Sequence, residues 1–205
     1  MPKKLKINMN PYTDSVSPDF ISGEKDSCGV GFVANIEGIE SNWVLKQSLR
    51  GLDCMEHRGG CGGDNDSGDG AGILCSIPWS YLKKECDFEI DQSKDIGLGM
   101  IFMPNDESLI QKLKILCEQE SLELSSINSN WRKVPVNNNC LGPLAKANAP
   151  FILQWLVSFE KNPNSDFEFL LFHLRKRIEK KVRESFNHSS DFYFASFSSK
   201  TVVYK

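Results

Sequence analysis

Gly59-Gly-Cys-Gly-Gly-Asp-Asn-Asp-Ser-Gly-Asp-Gly-Ala-Gly72 places seven glycines in fourteen residues, with four acidic or amide side chains among them. Its neighbours decide how it reads. Upstream, Val44, Leu45, Ser48, Leu49, Leu52 and Met55 fall on one face of a helix of about four turns starting at Asn42. Downstream, Ala71 to Ile77 is a short apolar run of buried-strand type. The order is therefore helix, glycine loop, strand. Loops that cradle phosphates run from strand to loop to helix, and this one lacks the Gly-Lys-Ser/Thr ending, which argues against nucleotide binding.

Outward from that loop, strand and helix patterns alternate. Gly29 to Ile36 is apolar and strand-like. Asp95 to Met103 reads as a strand, and Asp106 to Glu120 as a helix with Leu109, Ile110, Leu113, Leu116 and Cys117 in register. Trp131 to Val136 and Phe151 to Phe159 read as strands, joined by an Asn/Pro/Gly-rich connection, Asn137 to Pro150. A helix carries Leu170, Leu174, Ile178, Val182 and Phe186 at four-residue spacing. Asp191 to Ser199 and Thr201 to Tyr204 predict two strands in a hairpin around Ser198-Ser199-Lys200. Such interleaving predicts a mixed, α+β fold.

Composition narrows the function classes. The 205 residues carry 24 Lys+Arg against 27 Asp+Glu, a net charge of −3, with 40% hydrophobic and 25% charged residues. That balance supports a folded core and provides no positive field for nucleic acid or an anionic membrane. No apolar run approaches the ~20 residues of a membrane span. The basic face Arg175, Lys176, Arg177, Lys180, Lys181 and Arg183 reads as a solvated helix face. Seven cysteines, irregularly spaced and with no secretory signal before them, indicate a reducing compartment. Cys75 and Cys117 sit in apolar runs and are assigned to packing. Cys54, His57 and Cys61 imitate metal-ligand spacing, but no second Cys/His pair follows to complete a zinc site. Residues 1–27, with Pro2, Pro11, Pro18 and Gly23 and no sustained periodicity, form a leader.

Six stretches, in order, resemble one family. They are Asp26-Ser-Cys28-Gly-Val-Gly-Phe-Val-Ala34, Leu52-Asp-Cys-Met-Glu-His57-Arg58-Gly59-Gly60, Asp66-Ser-Gly-Asp-Gly-Ala-Gly-Ile-Leu74, Gly97-Leu-Gly-Met-Ile-Phe-Met-Pro104, Trp131-Arg-Lys-Val-Pro-Val-Asn137, and Phe192 to Lys205. Together they resemble the class II glutamine amidotransferase domain, an N-terminal-nucleophile hydrolase. The form of the Asp66 to Leu74 stretch brings them nearest to the domain that begins the glutamate synthase large subunit.

The resemblance implies a four-layer αββα sandwich, present here in part over residues 28–205, with Cys28 leading a central strand and residues 1–27 as a propeptide. It implies that Cys28 attacks the carboxamide carbon of L-glutamine, forming a γ-glutamyl thioester and releasing ammonia. The base is the nucleophile's own α-amino group, titrating near ~7.7–8.0, so cleavage between Ser27 and Cys28 is required. Arg58 is assigned to the glutamine α-carboxylate, Gly59 to the pocket, and Asp69 to the pocket wall or to backbone donors of the glycine loop, the second role being favoured. For the full-length enzyme the resemblance implies FMN, an iron–sulfur cluster and an electron donor, either ferredoxin or an NADPH-dependent small subunit. None of those cofactors is expected in this segment, and no nucleic acid or membrane partner is. The expected location is the cytoplasm or the plastid stroma. The family's oxyanion hole comes from an Asn-Gly pair, and no such dipeptide occurs here. The expectation is an N-terminal portion of a longer enzyme, inactive alone, with an unpaired sheet edge at Tyr204. The alternative is a non-catalytic remnant or a binding or regulatory module of the same family.

Overall fold

The computed structural model describes residues 29–55, 59–60, 63–64, 66–68, 70–163, 166–186 and 191–205. Helix α1 (Asn42–Asp53) starts where the Ser41 hydroxyl accepts a hydrogen bond from the Val44 amide. It is followed by strand β1 (Ile73–Ser76), helix α2 (Trp79–Glu85), strand β2 (Asp95–Met103) and helix α3 (Glu107–Glu123). Then come strand β3 (Asn128–Lys133), a 3₁₀ turn (Asn138–Cys140), helix α4 (Pro143–Ala147) and strand β4 (Phe151–Phe159). Helix α5 (Phe167–Ser185) and strands β5 (Tyr193–Ser198) and β6 (Thr201–Tyr204) complete the chain. Asp106 and Asp166 cap α3 and α5, each accepting from the amide three residues on.

The strands form two antiparallel sheets, β3-β4-β2-β5 and β1-β6. In β2, Ile101 and Met103 face α3 and α5, while Leu98, Met100 and Phe102 face the second sheet. β4 does the same: Leu153, Trp155, Val157 and Phe159 face the helices, and Leu156 faces β6. With both faces covered, these strands read as continuous apolar runs rather than as alternation. Helices, first sheet and second sheet therefore stack as consecutive layers, the α+β arrangement expected of the N-terminal-nucleophile hydrolases.

Two details set how tightly the layers meet. At Gly97 an added Cβ would stand 2.5 Å from Leu171 Cδ2, so α5 packs directly on the strand backbone. β5 carries a bulge between the residues opposite Met100 and Ile101, which skips Ala195. The bulge is why Phe194 and Phe197, three apart, share one face and stack at 5.3 Å.

The structure corrects several expectations. Residues 29–35 are irregular rather than a strand, with Val30, Phe32 and Ile36 largely exposed. No described strand pairs with them, and an extended segment without a ladder partner has nothing to fix its pairing. β5 and β6 are not a hairpin: β5 pairs with β2 and β6 with β1, so the chain changes sheet at Ser199-Lys200. The corner is held because Glu168 Oε1 accepts from the Ser199 amide and hydroxyl. α2 and α4 were not anticipated. Among the described strands, β1 and β6 pair only with each other. Cys117 is fully buried in the helix-facing core and Cys75 packs between the sheets; burial raises both thiol pKa values. None of the described helices is long and apolar enough to cross a membrane.

The basic face of α5 is not simply solvated. Arg175 and Lys176 pair with Glu179, and Lys180 lies 3.9 Å from Glu184. Arg177 and Lys181 cross to α3, where Glu120, only 2% exposed, accepts from both, and Glu123 completes the cluster. Burial works to raise the Glu120 pKa, but the hydrogen bonds from Lys181 and Arg177 outweigh it and hold it below the ordinary carboxylate value. A depressed folded pKa contributes stability above the unfolded value of ~4.3, lost as pH falls through the folded one. Removing both cations, in the Arg177→Ala/Lys181→Ala variant, leaves Glu120 buried and uncompensated. It is expected to cost about 3 kcal/mol at pH 7 and much less at pH 4, where the carboxyl protonates. Urea unfolding at the two pH values checks this; an equal loss at both would sink it.

Candidate functional site

α1 ends at Asp53, the Cys54 amide donating to the Arg50 carbonyl, and leads into the glycine-rich loop. Of the residues singled out from sequence, Cys28, Arg58 and Asp69 lie outside the described residues, as do His57 and Cys61. Gly59 is described and exposed at the start of the loop. The loop doubles back: a Cβ added at Gly68 would stand 3.5 Å from the Gly60 carbonyl oxygen. Gly70 takes a φ of +72°, a left-handed conformation that favours glycine. Beyond it, a Cβ at Gly72 would meet the Tyr204 carbonyl at 3.0 Å, so the loop's exit lies against the last strand.

What fixes the loop is a clasp that the sequence did not reveal. Asp64 Oδ1 accepts from the Ser67 amide at 2.8 Å and the Asp66 amide at 3.2 Å. Asp64 Oδ2 accepts from the Ser67 hydroxyl at 2.7 Å and from the Leu144 amide, 80 residues away, at 2.9 Å. Ser67 Oγ in turn accepts from the Ala145 amide at 3.0 Å. Leu144 and Ala145 are the second and third residues of α4, whose first-turn N–H groups have no partner within the helix. A side chain at the N-cap ordinarily serves them, but the N-cap here is Gly142. The loop therefore caps α4 from a distance.

The fit leaves no slack. A Cβ on Gly142 would stand 2.6 Å from both the amide nitrogen and the hydroxyl oxygen of Ser67. The Ser67 hydroxyl, the Leu144 amide and the Ser67 amide, in that order of effect, hold the Asp64 carboxyl far below its usual pKa. Its negative charge also faces the positive end of α4. One signal for this was present in the sequence: Gly142-Pro143 has the form of a helix start with proline at the first position.

A second polar chain joins the two sheets. Arg132 Nη1 donates to Gln154 Oε1 at 2.9 Å, and Gln154 Nε2, on a fully buried side chain, reaches the Tyr204 hydroxyl at 3.4 Å. Burial raises the Tyr204 pKa, so the phenol stays neutral and bonded. A recess of about 310 Å³ lies elsewhere, between Trp79, Lys94 and Lys161. Gly59 does not line it.

The family profile of class-II glutamine amidotransferases matches residues 28–205. The chain is 41% identical over 193 residues to ferredoxin-dependent glutamate synthase 1, chloroplastic/mitochondrial, of Arabidopsis thaliana, covering 90% of this chain and 12% of that one. It is 36% identical over 210 residues to the chloroplastic ferredoxin-dependent glutamate synthase of Oryza sativa subsp. japonica, covering 100% of this chain and 13% of that one. It is 40% identical over 187 residues to ferredoxin-dependent glutamate synthase 2 of Synechocystis, covering 89% and 12%. The chain thus spans about an eighth of the length of these relatives.

Proposed function

Because this chain belongs to the class-II glutamine amidotransferases, we propose that it carries the nucleophile and the substrate anchor for hydrolysis of the L-glutamine carboxamide. Cys28 becomes the N-terminal residue when residues 1–27 are removed. Its thiolate attacks the carboxamide carbon, the C–N bond breaks, and the α-ammonium gives its proton to the departing ammonia. Water then cleaves the thioester to glutamate. Arg58 holds the α-carboxylate through a two-pronged guanidinium fork, with Gly59 beside it and Asp69 tying down backbone donors of the loop.

The observation that carries this reading is a family match that begins at Cys28 and runs through the glycine-rich loop. The relatives' names support a wider role in glutamate synthesis, with ferredoxin as electron donor and the plastid as location; the family resemblance adds ammonia and 2-oxoglutarate as the reactants and the stroma as the compartment. FMN and an iron–sulfur cluster would supply the redox chemistry of that synthesis. Among the described residues no three His, Cys, Asp or Glu side chains converge as an iron–sulfur cluster would require. No step of the glutamine hydrolysis passes through those cofactors.

The test is an electrophilic glutamine analogue, 6-diazo-5-oxo-L-norleucine, followed by intact-mass analysis. The expected product is one adduct, on Cys28, in a polypeptide that begins at Cys28. An adduct on a chain that still carries Met1–Ser27 would overturn the self-base scheme, and the absence of any Cys28 adduct would overturn the activity. Arg58→Lys keeps the charge and loses the fork. In the full-length enzyme it is expected to raise the glutamine KM roughly 10- to 100-fold with little change in kcat, as steady-state ammonia release measures.

A further inference from the structure

We propose that Asp64 and Ser67 are positioning residues for glutamine, holding the glycine-rich loop in its binding geometry by locking it to the N-terminus of α4. The inference rests on the reading of Arg58 and Gly59 as substrate contacts.

A stretch with seven glycines in fourteen residues has more backbone freedom than any other part of the chain, and cannot present a binding surface unless something outside it fixes its shape. The clasp is that fixture. Two side chains carry five hydrogen bonds, three within the loop and two to a helix 78–80 residues further on. The contact is closed sterically as well, because Gly142 leaves no room for a methyl group against Ser67. Its effect reaches the loop's start: Gly68, next to Ser67, lies against the Gly60 carbonyl, and Gly60 follows Gly59 directly. Asp64 remains ionised far into the acid range, so the carboxylate side of the clasp persists wherever the protein is folded at neutral pH.

A clasp that only stabilises the fold and one that positions a substrate surface differ in what they disturb. Ser67→Ala deletes the shared hydroxyl and leaves Asp64 in place. In the full chain, the rate of Cys28 modification is followed against 6-diazo-5-oxo-L-norleucine concentration. Iodoacetamide, which needs no glutamine site, reports the intrinsic reactivity of the thiol. Ser67→Ala is expected to raise the half-saturating analogue concentration about tenfold or more, with the maximal rate and the iodoacetamide rate within twofold of wild type. Gly142→Ala, acting from the helix side, is expected to reproduce the Ser67→Ala effect, and if it does not fold Ser67→Ala decides alone. Unchanged half-saturation in Ser67→Ala, even with a lowered Tm, would show the clasp to be structural and overturn the proposal. A wild-type chain that iodoacetamide modifies at Cys28 but the analogue does not would instead remove the glutamine reading, and this inference with it.

Discussion

In the full-length enzyme, Cys28→Ala is expected to reduce glutamine hydrolysis on the order of 10⁶-fold in kcat, the loss seen when a covalent nucleophile is deleted from an enzyme that works as a unit with it. Nothing else near the scissile bond is assigned to bond formation, so water would have to attack the carboxamide directly. Cys28→Ser tests the chemistry more finely. It keeps the shape and the α-amine but replaces a thiol titrating near ~8.5 by a hydroxyl that is scarcely ionised at any working pH. Activity should fall nearly as far as in the alanine variant. In the wild-type full-length enzyme, the rate of thioester formation should rise with pH through ~7.7–8.0, because the α-amine accepts protons only when it is neutral. Ammonia release under single-turnover conditions measures both effects. A Cys28→Ala variant retaining a tenth of the wild-type rate would place the nucleophile elsewhere.

Trp155→Ala is expected to have the largest effect on stability, about 3–5 kcal/mol. Trp155 is fully buried on β4 and its ring lies 5.3 Å from Trp131 and 5.4 Å from Phe197, both stacked, and 6.5 Å from Phe194. Its indole N–H donates to Ser129 Oγ at 2.6 Å, so the substitution also leaves that hydroxyl without its donor. Three strands, β3, β4 and β5, meet at this ring, and none can move in to fill the hole without breaking its ladder to a neighbour. Against a total of about 5–15 kcal/mol for a domain, the variant stands close to unfolding at 37 °C. Trp155→Phe, which keeps an aromatic ring, should lose far less. Denaturant midpoints for the pair measure the difference, and a loss below 1 kcal/mol for the alanine variant would contradict this account of the core.

The elements most legible in the sequence were those whose pattern reports local packing. β2, β4 and α5 were found within a residue or a few of their observed ends, because apolar runs and four-residue spacing reflect which faces are covered. The family was legible from Cys28, the His57-Arg58-Gly59 segment and the Asp66 to Leu74 stretch, since these residue types at those separations are specific. What stayed hidden depended on partners remote in sequence. Asp64 and Ser67 read as ordinary loop polar residues until α4 is brought beside them. Gly29 to Ile36 has strand composition, but composition does not supply a neighbouring strand. The β5–β6 corner looked like a hairpin because a short polar turn between two apolar runs is the same in both cases; only the ladders tell them apart.

The β1–β6 ladder has a consequence for the order in which the molecule assembles. Ile73 pairs with Tyr204, 131 residues further on, whereas β2, β4 and β3 neighbour one another over much shorter separations. Closing the longer loop carries the greater entropic penalty and waits until the intervening strands have gathered. Gly72, where the glycine-rich loop delivers the chain into β1, touches the Tyr204 carbonyl and so acquires its final place only at that late step. A nascent or partly refolded molecule can therefore hold a native aromatic core while its glycine-rich loop is still unformed, and closure of that loop should trail the appearance of tryptophan burial during refolding.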